Sequence, residues 1–359
     1  MNEHCRLALR LRTTSRRILL GLAFATSSLA HAQAKPPVPP LYGPAGVSAQ
    51  AVKQGQLGSC YFHSSIAAIA NRNPGILRGA LQDGGDGTYT VRFVDGSSET
   101  VQLDDALFAR NNKFDLSDGL WVTILLRAMA QSTMRDSLIA SISATALPDS
   151  AKATATALVR GNDALLLAYD RAVRSTVYQD GTIDRDVVKT ALNHQVQALN
   201  IPVWFSKPLI DFLDAQGFFE TLAKRVQLNG ELFGAYRAVG QGGLVISVLG
   251  KFDAPSRDVE LHGSSEARTY LRKMQQDGLP MVATTGQSLD PAILQRLQTR
   301  EGGPDWWVAT HSYTILAYDP DADQVTLRNP WGDHPGPAGV FTISMSDFVA
   351  AYPNIDFPK

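Results

Sequence analysis

The sequence predicts an α+β chain, arranged as a helical half, a helical middle and a β-rich half. Three observations carry this. A run of small and apolar residues from Cys60 to Ala70 holds no turn residue, which reads as a buried helix. Residues from about 140 to about 235 are rich in Ala, Leu and polar residues and poor in strand signals. Beyond Leu244, short β-rich stretches alternate with turns, at 281–284, 312–318, 324–328 and 339–344.

Taken in order, the chain opens on an export signal. Residues 1–17 carry five arginines and a single acid, Glu3, and residues 18–30 are apolar or small. Ala30-His31-Ala32 follows, with Ala32-Gln33-Ala34 as a second small-x-small site. A basic segment, a short apolar segment and an Ala-x-Ala site define a secretory signal peptide, here residues 1–32. Arg16-Arg17 weakly resembles a twin-arginine signal. Cleavage removes five basic residues and one acid, taking the net charge from −1 to −5. It also removes Cys5, so Cys60 becomes the lone thiol and an internal disulfide framework is excluded. The expected location is periplasmic or secreted.

Residues 33–50 read as an extended leader, with five prolines between Lys35 and Gly46. The helix from Cys60 is preceded by a glycine-containing turn at 54–59 and ended by 71–75. Strict alternation over 87–94, the Asp95-Gly96 turn and renewed alternation over 99–103 predict a hairpin. A further helix is predicted over 120–130, and amphipathic helices over 151–177 and 185–199.

Composition excludes several classes. The chain is 359 residues long, 44% hydrophobic and 19% charged, which is ordinary globular usage rather than disorder, coiled coil or collagen. Past the N-terminus no stretch of ~18 apolar residues occurs, so no membrane insertion is expected after signal cleavage. No basic block or basic-aromatic stripe is present, so nucleic acid is not an expected partner.

The candidate chemistry gathers at Cys60. A helix N-terminus presents free N–H groups and a positive dipole end, which is expected to lower the thiol pKa. Gln54 in the preceding turn can add a side-chain N–H for an oxyanion. A thiolate needs a base. Of the histidines beyond the signal, His63 lies on the Cys60 helix and is expected at the core edge or in solvent. His194, His262 and His334 default to surface positions. His311 opens a predicted strand, and Asn329 ends the next one. A turn at 319–323 would set His311 beside Asn329, whose amide oxygen can fix the imidazole tautomer, with Trp331 as a screen. This is a Cys/His/Asn arrangement in the general papain-like sense.

These segments resemble the calpain cysteine-protease family. The run from Gln54 to Phe62, QGQLGSCYF, resembles the family's Gln-Gly-x-Leu-Gly-Asp-Cys-Trp-Phe signature. His311-Ser312-Tyr313-Thr314 resembles its His-Ala-Tyr-Ser/Thr segment, and Arg328-Asn329-Pro330-Trp331-Gly332 matches its Arg-Asn-Pro-Trp-Gly segment. The resemblance covers about 54–130 and 231–352. It implies a papain-like core, with a Cys-bearing helical subdomain facing a β-rich subdomain, and a helical insertion. The expected organisation is 51–134 for the Cys half, 135–230 for the insertion and 231–359 for the His/Asn half. It implies Cys60 as nucleophile, His311 as base and acid, Asn329 as orienter and Gln54 as oxyanion donor. Ser59 stands where the family has Asp, Tyr61 where it has Trp, and Arg127 where it has Glu or Lys.

The expected function is a calpain-like, calcium-type cysteine endopeptidase acting through a thioester acyl-enzyme on protein or peptide substrates. The alternatives are an exported amidase or acyl transferase of the same fold, or a non-catalytic calpain-like binding domain. No cofactor is expected to be required and no metal-binding residue is assigned. Ca2+ is possible, without assignable ligands. The EF-hand-like run at 180–184 places Thr176, Tyr178 and Val187 at ligand positions, so it reads as an ordinary turn between helices. Acidic stretches at Asp104-Asp105 and 319–323 are the remaining places for an ion. The catalytic core is expected without C2-like or penta-EF-hand domains.

Overall fold

The structure, a computed structural model, describes residues 38–144, 149–161, 163–175, 185–198, 203–215, 235–240, 242–298, 307–332 and 339–359. The signal peptide, the first residues of the leader, His334 and the run at 180–184 lie outside the described residues. Pro39–Lys359 forms one compact unit.

The first half is built on α1 (Cys60–Arg72). Ile66, Ala67, Ala68, Ile69 and Ala70 are all buried, and their small volumes let neighbouring elements approach closely. Asn73 ends α1, and Pro74 opens α2 (Pro74–Ala80) at the position where a missing N–H costs nothing. The predicted hairpin forms as β2 (Thr88–Arg92) and β3 (Ser98–Gln102), joined by β1 (Leu81–Asp83) in a three-stranded antiparallel sheet. Gly96 takes φ 83° in its turn. Then come α3 (Leu103–Asn111) and α4 (Trp121–Ser143).

The described middle is helical: α5 (Asp149–Arg160), α6 (Asp163–Ser175), α7 (Arg185–Ala198) and α8 (Val203–Ala215), followed by α9 (Ala235–Gly240) and α10 (Val245–Phe252). Three expectations differ here. The helix over 151–177 is two helices, because Arg135 on α4 binds at their junction. Its guanidinium donates to the Val159 carbonyl at 2.7 Å and to Asp163 Oδ1 at 2.8 Å, and pairs with Glu99 on β3. The expected boundary at 134/135 falls inside α4. Past the expected boundary at 230/231, Tyr236, Val248 and Phe252 share a core with Phe62 and Trp121 of the Cys half. Val159, Leu166, Leu192, Val196 and Ile210 belong to that same core. Fully buried Arg127 reinforces the join, reaching Asp170 on α6 at 2.7 Å while Asp170 accepts the Ala235 N–H at 2.6 Å.

The leader also differs. Its described part turns back on α4's start instead of running extended, burying Val47 and Ala49. Asp118 accepts the Ala45 N–H at 2.8 Å, and it lies so close to Gly43 that a Cβ there would overlap its carboxylate.

The second half is a six-stranded antiparallel sheet in the order β4-β9-β5-β6-β7-β8. Its strands are β4 (Ser256–Glu260), β5 (Met281–Thr284), β6 (Ser312–Asp319), β7 (Gln324–Arg328), β8 (Val340–Ser344) and β9 (Asn354–Pro358). Helices α11 (Ser264–Gln276), α12 (Pro291–Gln298) and α13 (Met345–Ala351) accompany it. Alternation along β5 divides its side chains: Val282 enters the α1 core, and Met281 and Ala283 enter a second core with Tyr313, Leu327 and Phe357. The sheet thus lies between two hydrophobic cores, with α1 against one face. This is the α+β arrangement that the sequence predicts, with the helix that Cys60 begins packed against a β-rich half.

Candidate active site

Side-chain hydrogen bonds pin α1 to β6. Ser64 Oγ donates to the Ser312 carbonyl at 2.6 Å, and Thr314 Oγ1 donates back to the Ser64 carbonyl at 2.8 Å. Further along, Asn71 Nδ2 donates to the Leu316 carbonyl at 3.0 Å. Cys60, the first residue of α1, is half-buried and lies against Ser312, whose backbone N–H and hydroxyl both approach the sulfur. Ser312 immediately follows His311.

The His311 backbone is fixed from both sides by Thr285. The His311 N–H donates to Thr285 Oγ1 at 2.8 Å, and the Thr285 N–H donates to the His311 carbonyl at 2.9 Å. Register does the rest. Thr314 faces Arg328 across β6 and β7, which puts Tyr313 opposite Asn329 and His311 one diagonal step away. His311 Nε2 lies 3.1 Å from Asn329 Oδ1. The Trp331 backbone N–H also donates to that Oδ1, at 3.1 Å. A backbone N–H can only donate, so the atom is the amide oxygen. His311 Nε2 must then carry its proton and donate, which leaves a lone pair on Nδ1. Trp331 packs beside the imidazole with ring centroids 4.9 Å apart.

Gln54 is buried in the turn before α1. Its Nε2 donates one N–H to the Leu57 carbonyl at 2.6 Å. An amide nitrogen carries two N–H groups, and this bond takes one of them. The Gln54 backbone N–H donates to the Pro330 carbonyl at 2.8 Å, tying the turn to the segment after Asn329.

Electrostatics correct one expectation. The thiol pKa of Cys60 is raised, not lowered: burial outweighs the Ser312, Tyr61 and Cys60 N–H groups and the Ser312 hydroxyl that favour the thiolate. Burial also pulls the His311 pKa down to about 4, against the bond to Asn329, which raises it. At rest the Cys60 thiol and the His311 imidazole are therefore both neutral.

Other candidates fall elsewhere. His194 and His262 are exposed. His63, expected at the core edge or in solvent, is fully buried, with Nε2 3.2 Å from Asp115 Oδ1. Burial raises the Asp115 carboxyl, but His63 and the Ser117 and Thr123 hydroxyls outweigh it and hold the pKa below its usual value. Within the acidic stretches, Asp105 faces Arg127 and Arg171, and Asp323 takes a two-pronged bond from Arg268 at 2.9 and 2.7 Å. Sequence reasoning missed Ser312 and Ser64. Their role depends on the α1–β6 contact, which no local pattern reports.

Residues 33–163 match the family model for the calpain family cysteine protease. The calpain match includes Gln54 and Cys60 and covers less than half of the chain. Among solved structures, PepW from Lactobacillus rhamnosis HN001 (DR20) is similar at 10% identity and a TM-score of 0.30, over 86% of this chain and 80% of that one. No curated protein matches.

Proposed function

We propose that the chain is an exported cysteine endopeptidase that cleaves protein or peptide substrates through Cys60, His311 and Asn329. One observation carries the reading: the His311–Asn329 bond holds the proton on Nε2 and leaves Nδ1 to accept another, on the strand bonded to the helix that Cys60 begins. The calpain family match over Gln54 and Cys60 supports it independently.

In this reading the Cys60 thiol passes its proton to His311 Nδ1 as the sulfur attacks the substrate carbonyl carbon. Because burial keeps the thiol protonated at rest, the transfer accompanies attack. The oxyanion accepts hydrogen bonds from the Cys60 backbone N–H, which at the start of α1 has no intrahelical acceptor, and from the second N–H of Gln54. Collapse breaks the C–N bond, the amine leaves with the proton from His311, and a thioester remains on Cys60. Water then gives a proton to His311 and attacks the thioester, releasing the acid and restoring the thiol.

The test is hydrolysis of a mixed peptide library by the purified chain and by Cys60→Ala. Cleavage by the first and none by the second is expected. Equal cleavage by both, or by neither, overturns the reading.

A further inference from the structure

His63 and Asp115 form a buried pair to which the catalytic sequence above gives no role. Both are fully buried. A leucine would fill the same core volume without a polar group to satisfy, so the imidazole earns its place through its bonds. Its Nδ1 lies 3.1 Å from the Ser59 hydroxyl and 3.0 Å from the Ser59 carbonyl, and its Nε2 3.2 Å from Asp115 Oδ1. The Asp115 carboxylate can only accept, so Nε2 carries a proton and donates to it. Asp115 also accepts from Ser117 Oγ at 2.5 Å and from Thr123 Oγ1.

Asp115 stands opposite Gln54 in an antiparallel bridge. On either side, the Gly55 N–H donates to the Phe114 carbonyl at 3.1 Å and the Leu116 N–H to the Lys53 carbonyl at 2.9 Å. The Lys53 N–H donates to Ser117 Oγ at 2.8 Å. The backbone that carries the Gln54 side chain is thus held by the segment that Asp115 anchors. Asp115 in turn is bonded to α1, one turn from Cys60. A continuous path of bonds runs from the helix of the thiol to the amide of Gln54.

We infer that His63, acting through Asp115, is a positioning residue that sets the Gln54 amide at its distance from Cys60. The inference rests on the proposed peptidase reaction. Losing an oxyanion donor outright costs roughly 10²–10³ in kcat, and a donor displaced by a fraction of an ångström costs part of that, about tenfold. Alkylation of Cys60 by iodoacetamide builds no oxyanion and does not need Gln54. The two rates therefore separate a misplaced donor from a damaged thiol.

The experiment measures, on the full-length chain, peptide kcat per reactive Cys60 and the iodoacetamide rate at the Cys60 peptide, read by mass. The variants are His63→Leu, His63→Gln and Asp115→Asn, each with and without Gln54→Ala. The expected result for His63→Leu and Asp115→Asn is about a tenfold loss of kcat with alkylation within about twofold of wild type. His63→Gln, which keeps a donor toward Asp115, recovers most of the loss. With Gln54→Ala in place, the His63 effect shrinks to less than about threefold, because the two act through one donor. Unchanged kcat, a parallel fall in alkylation, or full additivity with Gln54→Ala overturns the inference. Where His63→Leu loses its cooperative melt, Thr123→Val, which removes one hydroxyl from Asp115, carries the same comparison. Wild-type hydrolysis with an intact His63→Leu rate sinks this inference alone. A wild-type chain that hydrolyses nothing removes the peptidase reading and this inference with it.

Discussion

The Gln54 N–H donates to the Pro330 carbonyl at 2.8 Å, so the turn that offers an oxyanion donor is bonded to the residue after Asn329. The Arg328 guanidinium adds a bond to the Val52 carbonyl, on the segment that leads into this turn. Two groups 275 positions apart in sequence, the Gln54 amide and the Asn329 amide, are in this way fixed to one another through backbone.

His311→Ala is expected to leave almost no hydrolysis, and Asn329→Ala to leave a measurable fraction. The imidazole takes and returns the proton itself, whereas Asn329 only fixes its tautomer and orientation. Comparing kcat for the two variants checks the order. A milder loss for His311→Ala would contradict the roles.

The acid limb of kcat/KM is expected near pH 4, not near the ordinary imidazole value of about 6.5. Burial keeps His311 neutral until the pH falls that far. The same shift makes stability pH-dependent: below about 6.5 the unfolded chain gains a proton at His311 that the folded chain refuses. Stability is therefore lost as pH falls from about 6.5 to about 4, by up to about 3 kcal/mol from this group. Rates and urea midpoints across pH 3–8, for wild type and His311→Gln, read both effects. An acid limb at 6.5 would contradict the burial argument.

Arg127→Met is expected to destabilise the fold by roughly 3–5 kcal/mol, since it leaves the buried Asp170 carboxylate without its 2.7 Å partner. Arg127→Met with Asp170→Asn is expected to cost less than Arg127→Met alone, because no charge is then stranded. Urea unfolding measures both. A loss below about 1 kcal/mol in the single variant would contradict the role of Arg127 in joining the middle helices to the Cys half.

Hydrolysis is expected to survive exhaustive chelation. The acidic stretches that the sequence offers for an ion are engaged with arginines at Asp105 and Asp323. Peptide hydrolysis in chelator, with calcium then titrated back, decides it. A silent chelated enzyme that recovers with calcium would contradict the expectation.

Much of this architecture is legible in the sequence where chemistry is local. The small-residue run after Cys60, the Asp95-Gly96 hairpin and the strands around His311 and Asn329 all form as patterned. What escapes depends on contacts between distant segments. β9 lies between β4 and β5 because of its pairing, although Pro353 before it and Pro358 at its end keep the Asn354–Pro358 run from reading as a central strand. The middle helices join the first core through Arg127 and Arg135, whose charges read as surface features until their partners are known. The Cys60 pKa runs opposite to the expectation from its helix start, because burial is set by the α1–β6 contact and not by the helix.

The most direct measurement traps the intermediate. The chain is mixed with an activated peptide ester, quenched in acid within the first turnover, digested and read by mass. An acyl group on the Cys60 peptide is expected, absent in Cys60→Ala and slow to form in His311→Ala. Ester turnover with no adduct on Cys60, or with an adduct on another residue, would contradict it.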